Sequence, residues 1–194
     1  MQMQPGNFFH IDKSWTLFLD RDGVINKEKK EDYILNTYEF YFFDEVTEAL
    51  RILAEIFGVI VIVSNQRGVG KGKMSLSDLE DIHAYMMHEI KRHGGRIDKI
   101  YFCTDVDNAS PNRKPNPGMA FQAKKDFPQV DFSKSIMVGN KPTDMDFGRR
   151  ASMHTAFIAT TNPEVEFPHP HIDLRFNSLI DFALHIKRQS VFGA

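Results

Sequence analysis

The chain has 194 residues, which is enough for one domain with a buried core and too few for two domains of ordinary size. Its net charge of −2 gives no basic field for nucleic acid, and its single cysteine, Cys103, excludes an internal disulfide or a zinc site built from several cysteines. Residues 1–13 are polar without a secretory pattern, and no apolar run reaches the roughly 18 residues that span a bilayer. We therefore expect one cytoplasmic, monomeric domain over residues 1–194, with a polar N-terminal extension over 1–13 and no nucleic-acid or membrane partner.

Strand-like and helix-like segments alternate along the chain. An apolar run at 16–20 precedes a helical stripe at 45–57, and a β-branched run at 59–63 is typical of a strand covered on both faces. Ser75 and Gly94 bound a second predicted helix over 75–93. The remaining predicted elements are strands at 97–103, 135–139 and 154–158 and helices at 116–127, 144–151 and 178–187. This order predicts a three-layer α/β fold, with a doubly wound, Rossmann-like parallel sheet and right-handed crossovers.

Three irregular segments connect these elements, at 23–43, 104–115 and 160–170. Neither of the first two is long enough to fold into a large cap domain. We therefore expect an active site that is open to solvent.

Polar and charged side chains follow the predicted strands, at the edge where the carboxyl ends of parallel strands meet. Asp20 and Asp22 follow the first strand, and their mutual repulsion indicates a role with a cation or in proton transfer. Open α/β sheets bind their ligands at this edge. The residues that later strands and connections bring there are Ser64, Asn65, Gln66, Arg67, Arg113, Lys114, Asn140, Lys141 and Asp144.

Four segments resemble, in order, the four motifs of the haloacid dehalogenase-like (HAD) phosphatases. They are Asp-Arg-Asp-Gly-Val-Ile-Asn at 20–26, Ser-Asn-Gln at 64–66, Arg-Lys-Pro-Asn-Pro-Gly-Met at 113–119 and Met-Val-Gly-Asn-Lys-Pro-Thr-Asp-Met at 137–145. The resemblance extends over residues 15–158 and is to the branch of the heptose 1,7-bisphosphate and histidinol phosphatases. It implies a Mg²⁺-dependent phosphatase that acts on a small phosphorylated sugar through an aspartyl phosphate. The favoured substrate is D-glycero-D-manno-heptose 1,7-bisphosphate, cleaved at the 7-phosphate, with histidinol phosphate as the alternative.

The chemistry of phosphate esters explains these residue types. Uncatalysed hydrolysis is extremely slow, and a carboxylate nucleophile divides it into two easier steps. We assign Asp20 as the nucleophile and Asp22 as the residue that protonates the leaving group and then deprotonates water. Mg²⁺ and Lys114 would offset the repulsion between carboxylate and phosphate. The Ser64 hydroxyl and the amides of the 65–68 turn would hold phosphate oxygens, and the resemblance adds the backbone carbonyl of Asp22 as a metal ligand.

The chain departs from the family at Asn140, where the relatives usually have an aspartate that binds Mg²⁺. An amide still offers a carbonyl oxygen, so we expect a metal site formed by Asp20, Asp22, Asn140 and Asp144, with weaker affinity or a different metal preference. Two alternatives stay open. Asn140 could simply cap the following helix, or the protein could bind a phosphorylated ligand with little or no turnover.

A second departure concerns zinc. Relatives in this branch often carry one histidine and three cysteines before the Arg-Lys-Pro segment, and residues 104–112 contain neither residue type. We therefore expect no structural zinc, and a substrate pocket that differs from that of the relatives.

The density of positive charge indicates a substrate with a second phosphate. We assign Asn65, Gln66, Arg67, Arg113 and Lys141 to substrate binding, with Arg113 on the second phosphate because guanidinium binds phosphate through paired hydrogen bonds. The lysines of the first loop, Lys27, Lys29 and Lys30, either join them or are only solvated.

Histidines on the second predicted helix recur with a spacing of five. This spacing does not place His83, His88 and His93 on one face, so we interpret them as surface residues. Cys103 has no visible base to activate it, and we expect it to pack at the end of a strand.

Overall fold

Six strands and six α-helices make up the part of the chain that the computed structural model describes, residues 10–30 and 32–192. The strands are β1 (Thr16–Leu19), β2 (Val59–Asn65), β3 (Lys99–Cys103), β4 (Ser135–Gly139), β5 (His154–Ile158) and β6 (Leu174–Phe176). The helices are α1 (Val46–Ile56), α2 (Arg67–Gly70), α3 (Leu76–Arg92), α4 (Gly118–Asp126), α5 (Pro142–Arg150) and α6 (Leu179–Phe192).

All six strands belong to one parallel sheet, with the order β3-β2-β1-β4-β5-β6. The predicted doubly wound parallel sheet is therefore confirmed. The chain moves outward in one direction from β1 to β3 and in the other direction from β4 to β6. The strand order thus reverses between β1 and β4, and a crevice at this position is where such sheets bind ligands.

The sheet is covered on both faces because successive side chains of a strand point in opposite directions. Leu17 and Leu19 of β1 pack into one core with α1, α3 and α6, whereas Phe18 packs into the other with α4 and α5. The β-branched run of β2 divides between the two cores in the same way. This burial on both faces produces the three layers and holds the strand ends in place.

The differences from the predicted elements lie in short segments. Strand β6 has only three residues and lies at the edge of the sheet, and α2 is a single turn, so neither has a periodic pattern to detect. Helix α5 begins at Pro142 rather than at Asp144, because proline suits the first turn of a helix. The predicted Ser75 cap of α3 is confirmed: its Oγ accepts a hydrogen bond from the Asp78 amide at 3.0 Å.

The last residues of the predicted polar extension belong to the fold; residues 1–9 lie outside the described part of the chain. Ile11 is buried in the core that also contains the inner face of α1. Lys13 donates from Nζ to the carbonyl oxygens of Ala54 and Phe57, at 2.8 and 3.2 Å. These contacts attach the segment before β1 to the end of α1.

Between the helices and strands, the two long segments are loops. Residues 20–45 contain a single 3₁₀ turn, Thr37–Glu39, and residues 104–117 contain no helix or strand in the described chain. Among the residues that the structure describes, none forms a large cap over the sheet edge. None of the helices in the described ranges is long and apolar enough to cross a membrane.

Candidate active site

Lys114 lies at the centre of a buried cluster of charges. Its Nζ is 2.8 Å from Oδ1 of Asp20 and 2.8 Å from Oδ1 of Asp144. Asp20 follows β1 and Asp144 lies in the first turn of α5, so the cluster sits where the strand order reverses. Burial raises the pKa of Asp20 to about 6, the charge of Asp144 adds to this, and Lys114 opposes it. Burial lowers the pKa of Lys114, but the two carboxylates outweigh that effect and raise it overall.

Asn65 holds the backbone of Lys114 in position. Its Nδ2 donates to the Lys114 carbonyl oxygen at 3.0 Å, and its Oδ1 accepts from the Lys114 amide at 3.0 Å. Asn65 is the last residue of β2, so this pair of hydrogen bonds joins the 104–117 loop to the sheet. The side chain of Asn65, which we predicted to bind substrate, lines the cavity and also orients the backbone of Lys114.

Asp22 is surrounded by hydrogen-bond donors. Asn26 donates from Nδ2 to Oδ1 of Asp22 at 2.9 Å, and Gln66 donates from Nε2 to Oδ2 at 2.9 Å. The guanidinium of Arg21 contacts both oxygens. Burial raises the pKa of Asp22, but the Arg21 charge and the hydrogen bonds from Asn26, Arg21 and Gln66 outweigh it and hold the pKa below its usual value.

Ser64 and Gln66 lie deeper than the rest of the predicted phosphate-binding turn. Gln66 donates from Nε2 to the Ser64 Oγ at 2.8 Å, and both side chains are buried. Neither is among the residues that line the cavity. The contact connects Ser64 to Asp22 through the Gln66 amide, while direct binding of phosphate by these two residues stays a prediction.

His83 is buried, so the prediction that it lies on the surface is wrong. Its Nε2 is 3.2 Å from Nη1 of Arg21, and its ring packs against Phe102 of β3. His88, in contrast, is exposed. The buried positions Leu79 and Met86 stand four residues before and three residues after His83 on α3, and this helical spacing could have placed it on the inner face.

Asn140 follows β4 and is fully buried. Its Nδ2 donates to Thr161 Oγ1 at 2.6 Å and to Glu28 Oε1 at 3.4 Å. Lys141, not Asn140, stands at the N-cap of α5, so the alternative that Asn140 merely caps this helix is wrong. Gly23 has a φ of +90°, and a Cβ there would lie 2.0 Å from Asn140 Nδ2, so only glycine fits beneath this amide.

The oxygen atoms of this region fit a divalent cation. Asn140 Oδ1 is buried and has no hydrogen-bond partner among the residues that the structure describes. Buried carbonyl oxygens rarely stay unpaired, and Mg²⁺ prefers oxygen ligands. Asp20 and Asn140 would hold the ion through their side chains, and Asp22 through its backbone carbonyl.

Asp144 contributes to this region by holding its neighbours. Its Oδ1 accepts from Lys114, and its Oδ2 accepts from the backbone amides of Asn140 and Lys141 at 3.2 and 3.0 Å. Within the described ranges, no three or more His, Cys, Asp or Glu side chains are grouped for a metal. The amide oxygen of Asn140, buried and unpaired among the described residues, is a further oxygen atom that a cation at this position would use.

An open cavity of about 580 Å³ adjoins the cluster. Arg67 and Arg113 line it, together with Asn108, whose Oδ1 accepts from Arg67 Nη2 and, at 3.2 Å, from Arg113 Nε. Neither arginine forms an ion pair with a carboxylate in the described part of the chain, and the buried Arg67 Nε has no partner there. Burial and the neighbouring Arg67 charge lower the pKa of Arg113. Two guanidinium groups held this close are suited to an anion.

Lys141 also lines the cavity, and its Nζ pairs with Glu28 Oε2 at 2.6 Å. The loop lysines take other positions. Lys29 pairs with Glu39 at 2.7 Å, and Lys27 and Lys30 are exposed. None of these three is among the cavity residues. Cys103 is buried at the end of β3, as predicted.

Comparisons with known proteins agree with this geometry. The sequence matches the family described as Polynucleotide kinase 3 phosphatase over residues 8–180. A D-glycero-beta-D-manno-heptose-1,7-bisphosphate 7-phosphatase from Escherichia coli O6:H1 is 33% identical over 185 residues, covering 89% of this chain and 94% of the relative. A D-glycero-alpha-D-manno-heptose-1,7-bisphosphate 7-phosphatase from Campylobacter jejuni is 36% identical over 146 residues, covering 75% and 83%.

The fold is also that of a solved structure. The D,D-heptose 1,7-bisphosphate phosphatase from B. bronchiseptica, complexed with magnesium and phosphate, has a TM-score of 0.82 to this chain. The two are 23% identical, and the match covers 90% of this chain and 99% of the other. The HAD-like architecture expected from the sequence is thereby confirmed.

Proposed function

The chain belongs to the Polynucleotide kinase 3 phosphatase family and has a HAD-like fold, and on this basis we propose that it is a Mg²⁺-dependent phosphatase that hydrolyses a sugar phosphate ester. The observation that carries the proposal is the 2.8 Å contact between the buried Lys114 ammonium and the Asp20 carboxylate, next to an arginine-lined cavity. The proposed substrate is D-glycero-D-manno-heptose 1,7-bisphosphate, cleaved at the 7-phosphate, which is the reaction in the names of the relatives from E. coli and C. jejuni.

The proposed reaction has two steps. In the first, an Asp20 oxygen bonds to phosphorus while the ester bond breaks, and the leaving oxygen takes a proton through Asp22. Because its contacts hold the pKa of Asp22 below the usual value, Asp22 would first accept this proton from the monoanion of the bound phosphate ester. In the second, Asp22 takes a proton from water as that water attacks the aspartyl phosphate, which releases inorganic phosphate and restores Asp20. Lys114 offsets the negative charge in both steps. When bound, Mg²⁺ would neutralise charge shared by the phosphate and Asp20.

Substrate binding is proposed to use the paired arginines. Arg67 and Arg113, held together by Asn108, would bind the phosphate that is not cleaved. The open cavity accommodates a sugar between this pair and Asp20. The Ser64 hydroxyl and the amides of the following turn would hold the phosphate that is cleaved.

The setting of the proposed reaction is a single cytoplasmic domain that acts as a monomer on a small molecule, without nucleic acid, membrane or structural zinc. The charge balance of −2 and the single buried cysteine support this setting.

A phosphate-release assay tests the proposal. Purified protein with Mg²⁺ would be given the heptose 1,7-bisphosphate, histidinol phosphate and a 3′-phosphorylated oligonucleotide, which represents the reaction in the family's name. We expect the highest kcat/KM with the bisphosphate, and a loss of about 10⁴-fold or more in Asp20→Asn. Preference for another panel member would reassign the substrate, and full activity in Asp20→Asn would defeat the nucleophile assignment.

The alternative is a protein that binds a phosphorylated ligand with little or no turnover, and the amide at position 140 is the observation that favours it. Calorimetry with the bisphosphate separates the two functions. Binding without phosphate release in the wild-type protein, together with release in Asn140→Asp, would support the alternative.

A further inference from the structure

We propose that Arg21 and His83 are positioning residues that hold the carboxylate of Asp22 in place for proton transfer. This inference rests on the proposed phosphatase function. Neither side chain has a role in the two-step reaction described above. Arg21 lies between the two catalytic aspartates in the sequence, and His83 lies on helix α3.

Arg21 makes the most extensive contact with Asp22. Its Nη2 is 2.9 Å from Oδ1 and 3.0 Å from Oδ2, and its Nε is 3.2 Å from Oδ1. Asn26 and Gln66 each reach one oxygen, so within the described residues Arg21 alone contacts both. The rigid fork of a guanidinium fixes the plane of a carboxylate as well as its position.

The charged side chain of Arg21 is buried, so it requires partners for its charge and for its hydrogen-bond donors. It is 1% exposed and is among the largest fully buried side chains of the described chain. A buried guanidinium is tolerated only when it is paired and hydrogen-bonded. Asp22 supplies the charge, and His83 supplies the acceptor on the opposite side.

His83 completes the support from helix α3. Arginine has no acceptor atom, so Nη1 of Arg21 donates to Nε2 of His83 across 3.2 Å, and the histidine is neutral with its proton on Nδ1. Burial, with the Arg21 charge adding to it and Asp22 opposing, lowers the pKa of His83 to about 4, so the acceptor persists at neutral pH. Through Arg21, this contact links Asp22, the proposed acid–base residue, to the buried face of α3.

The two proton transfers require a carboxylate at a fixed position. A sugar alkoxide is a poor leaving group and needs the proton of Asp22, whereas p-nitrophenolate leaves readily without it. The ratio of kcat/KM for a sugar phosphate to kcat/KM for p-nitrophenyl phosphate therefore reports on Asp22. General damage to the fold would lower both values together.

The experiment measures this ratio in Arg21→Met, His83→Phe and His83→Gln, with Asp22→Asn as the reference. General acid catalysis contributes about 10²–10⁴-fold, so we expect the ratio to fall by about 10–100-fold in Arg21→Met and by about 3–10-fold in His83→Phe. His83→Gln should recover most of it, because the glutamine carbonyl can accept from Arg21. Met86→Ala, at a buried position on the same helix, is the matched control and should leave the ratio unchanged.

A double-mutant cycle between Arg21 and Asp22 tests the same inference, and it requires kinetics on the sugar phosphate alone. If Arg21 acts through Asp22, Arg21→Met should cost little in the Asp22→Asn background. Equal losses on both substrates, or multiplicative losses in the cycle, would overturn the inference. Circular dichroism checks the fold of each variant, and the two His83 variants carry the test if Arg21→Met does not fold. A wild-type protein inactive on both substrates would instead defeat the proposed function.

Discussion

The ammonium of Lys114 lies 2.8 Å from a carboxylate oxygen of Asp20, and both side chains are almost completely buried. Asp144 contacts the same ammonium, so one positive charge faces two negative charges in this cluster. Burial, with the charge of Asp144 adding to it, raises the pKa of Asp20 despite the opposing charge of Lys114. The excess negative charge in the cluster predicts that a phosphate dianion approaches it only when a cation is bound.

Replacement of Lys114 by methionine should lower kcat by about 10²–10³-fold, because it removes the charge that offsets the phosphate and Asp20. Phosphate release at saturating Mg²⁺ measures the loss. Lys134→Met, at an exposed position, is the control and should retain wild-type activity. If Lys114→Met kept more than about a tenth of the activity, this catalytic role would be wrong.

The sequence alone predicts that residues directly after the strands meet at one edge of the sheet. Parallel strands place their carboxyl ends together, and this does not depend on the conformation of the loops. Asp20 and Asp144 follow β1 and β4, and their meeting is predicted in this way. Lys114 lies on the 104–117 loop, and its place in the site is predicted from the resemblance of residues 113–119 to a family motif. The contacts around Asn140 are different, since Glu28 and Thr161 lie on loops that have no periodicity. The distance of these two side chains from Asn140 depends on how each loop packs, and residue spacing in the sequence does not predict loop packing.

Asn140→Asp should raise the affinity for Mg²⁺ by about 10-fold, because it adds a negative charge to the oxygen ligands. Calorimetric titration of the unliganded protein with Mg²⁺ measures this without turnover. Glu28 lies 3.4 Å from the amide nitrogen, so the new carboxylate would be repelled by it. The gain should therefore be larger in the Glu28→Gln background, and an equal gain in both backgrounds would contradict this role of Glu28.

Arg113→Met should raise KM for the heptose bisphosphate by about 10–100-fold and leave KM for a 7-monophosphate nearly unchanged, because only the bisphosphate has a second anion for the arginine pair. Steady-state kinetics on the two substrates measure the difference. Arg51→Met, on the outer surface of α1, is a control for loss of charge. Equal effects on both substrates would place Arg113 outside the second phosphate site.

His83 predicts a dependence of stability on pH. Its pKa is lowered from 6.5 to about 4 in the folded protein, so the folded state binds fewer protons than the unfolded chain between these values. The contribution of this one group to the free energy of unfolding should therefore be constant above about pH 6.5, decrease as the pH falls towards about 4, and lose about 3 kcal/mol in total.

His83→Phe should remove this part of the pH dependence. Urea unfolding between about pH 7 and about pH 4.5 measures it as a difference in slope from the wild type, which cancels the contribution of the carboxylates. His88→Phe, on the exposed side of the same helix, should keep the wild-type slope. An unchanged slope in His83→Phe would mean that the buried imidazole accepts a proton as readily as an exposed one, and that Arg21 does not hold it neutral.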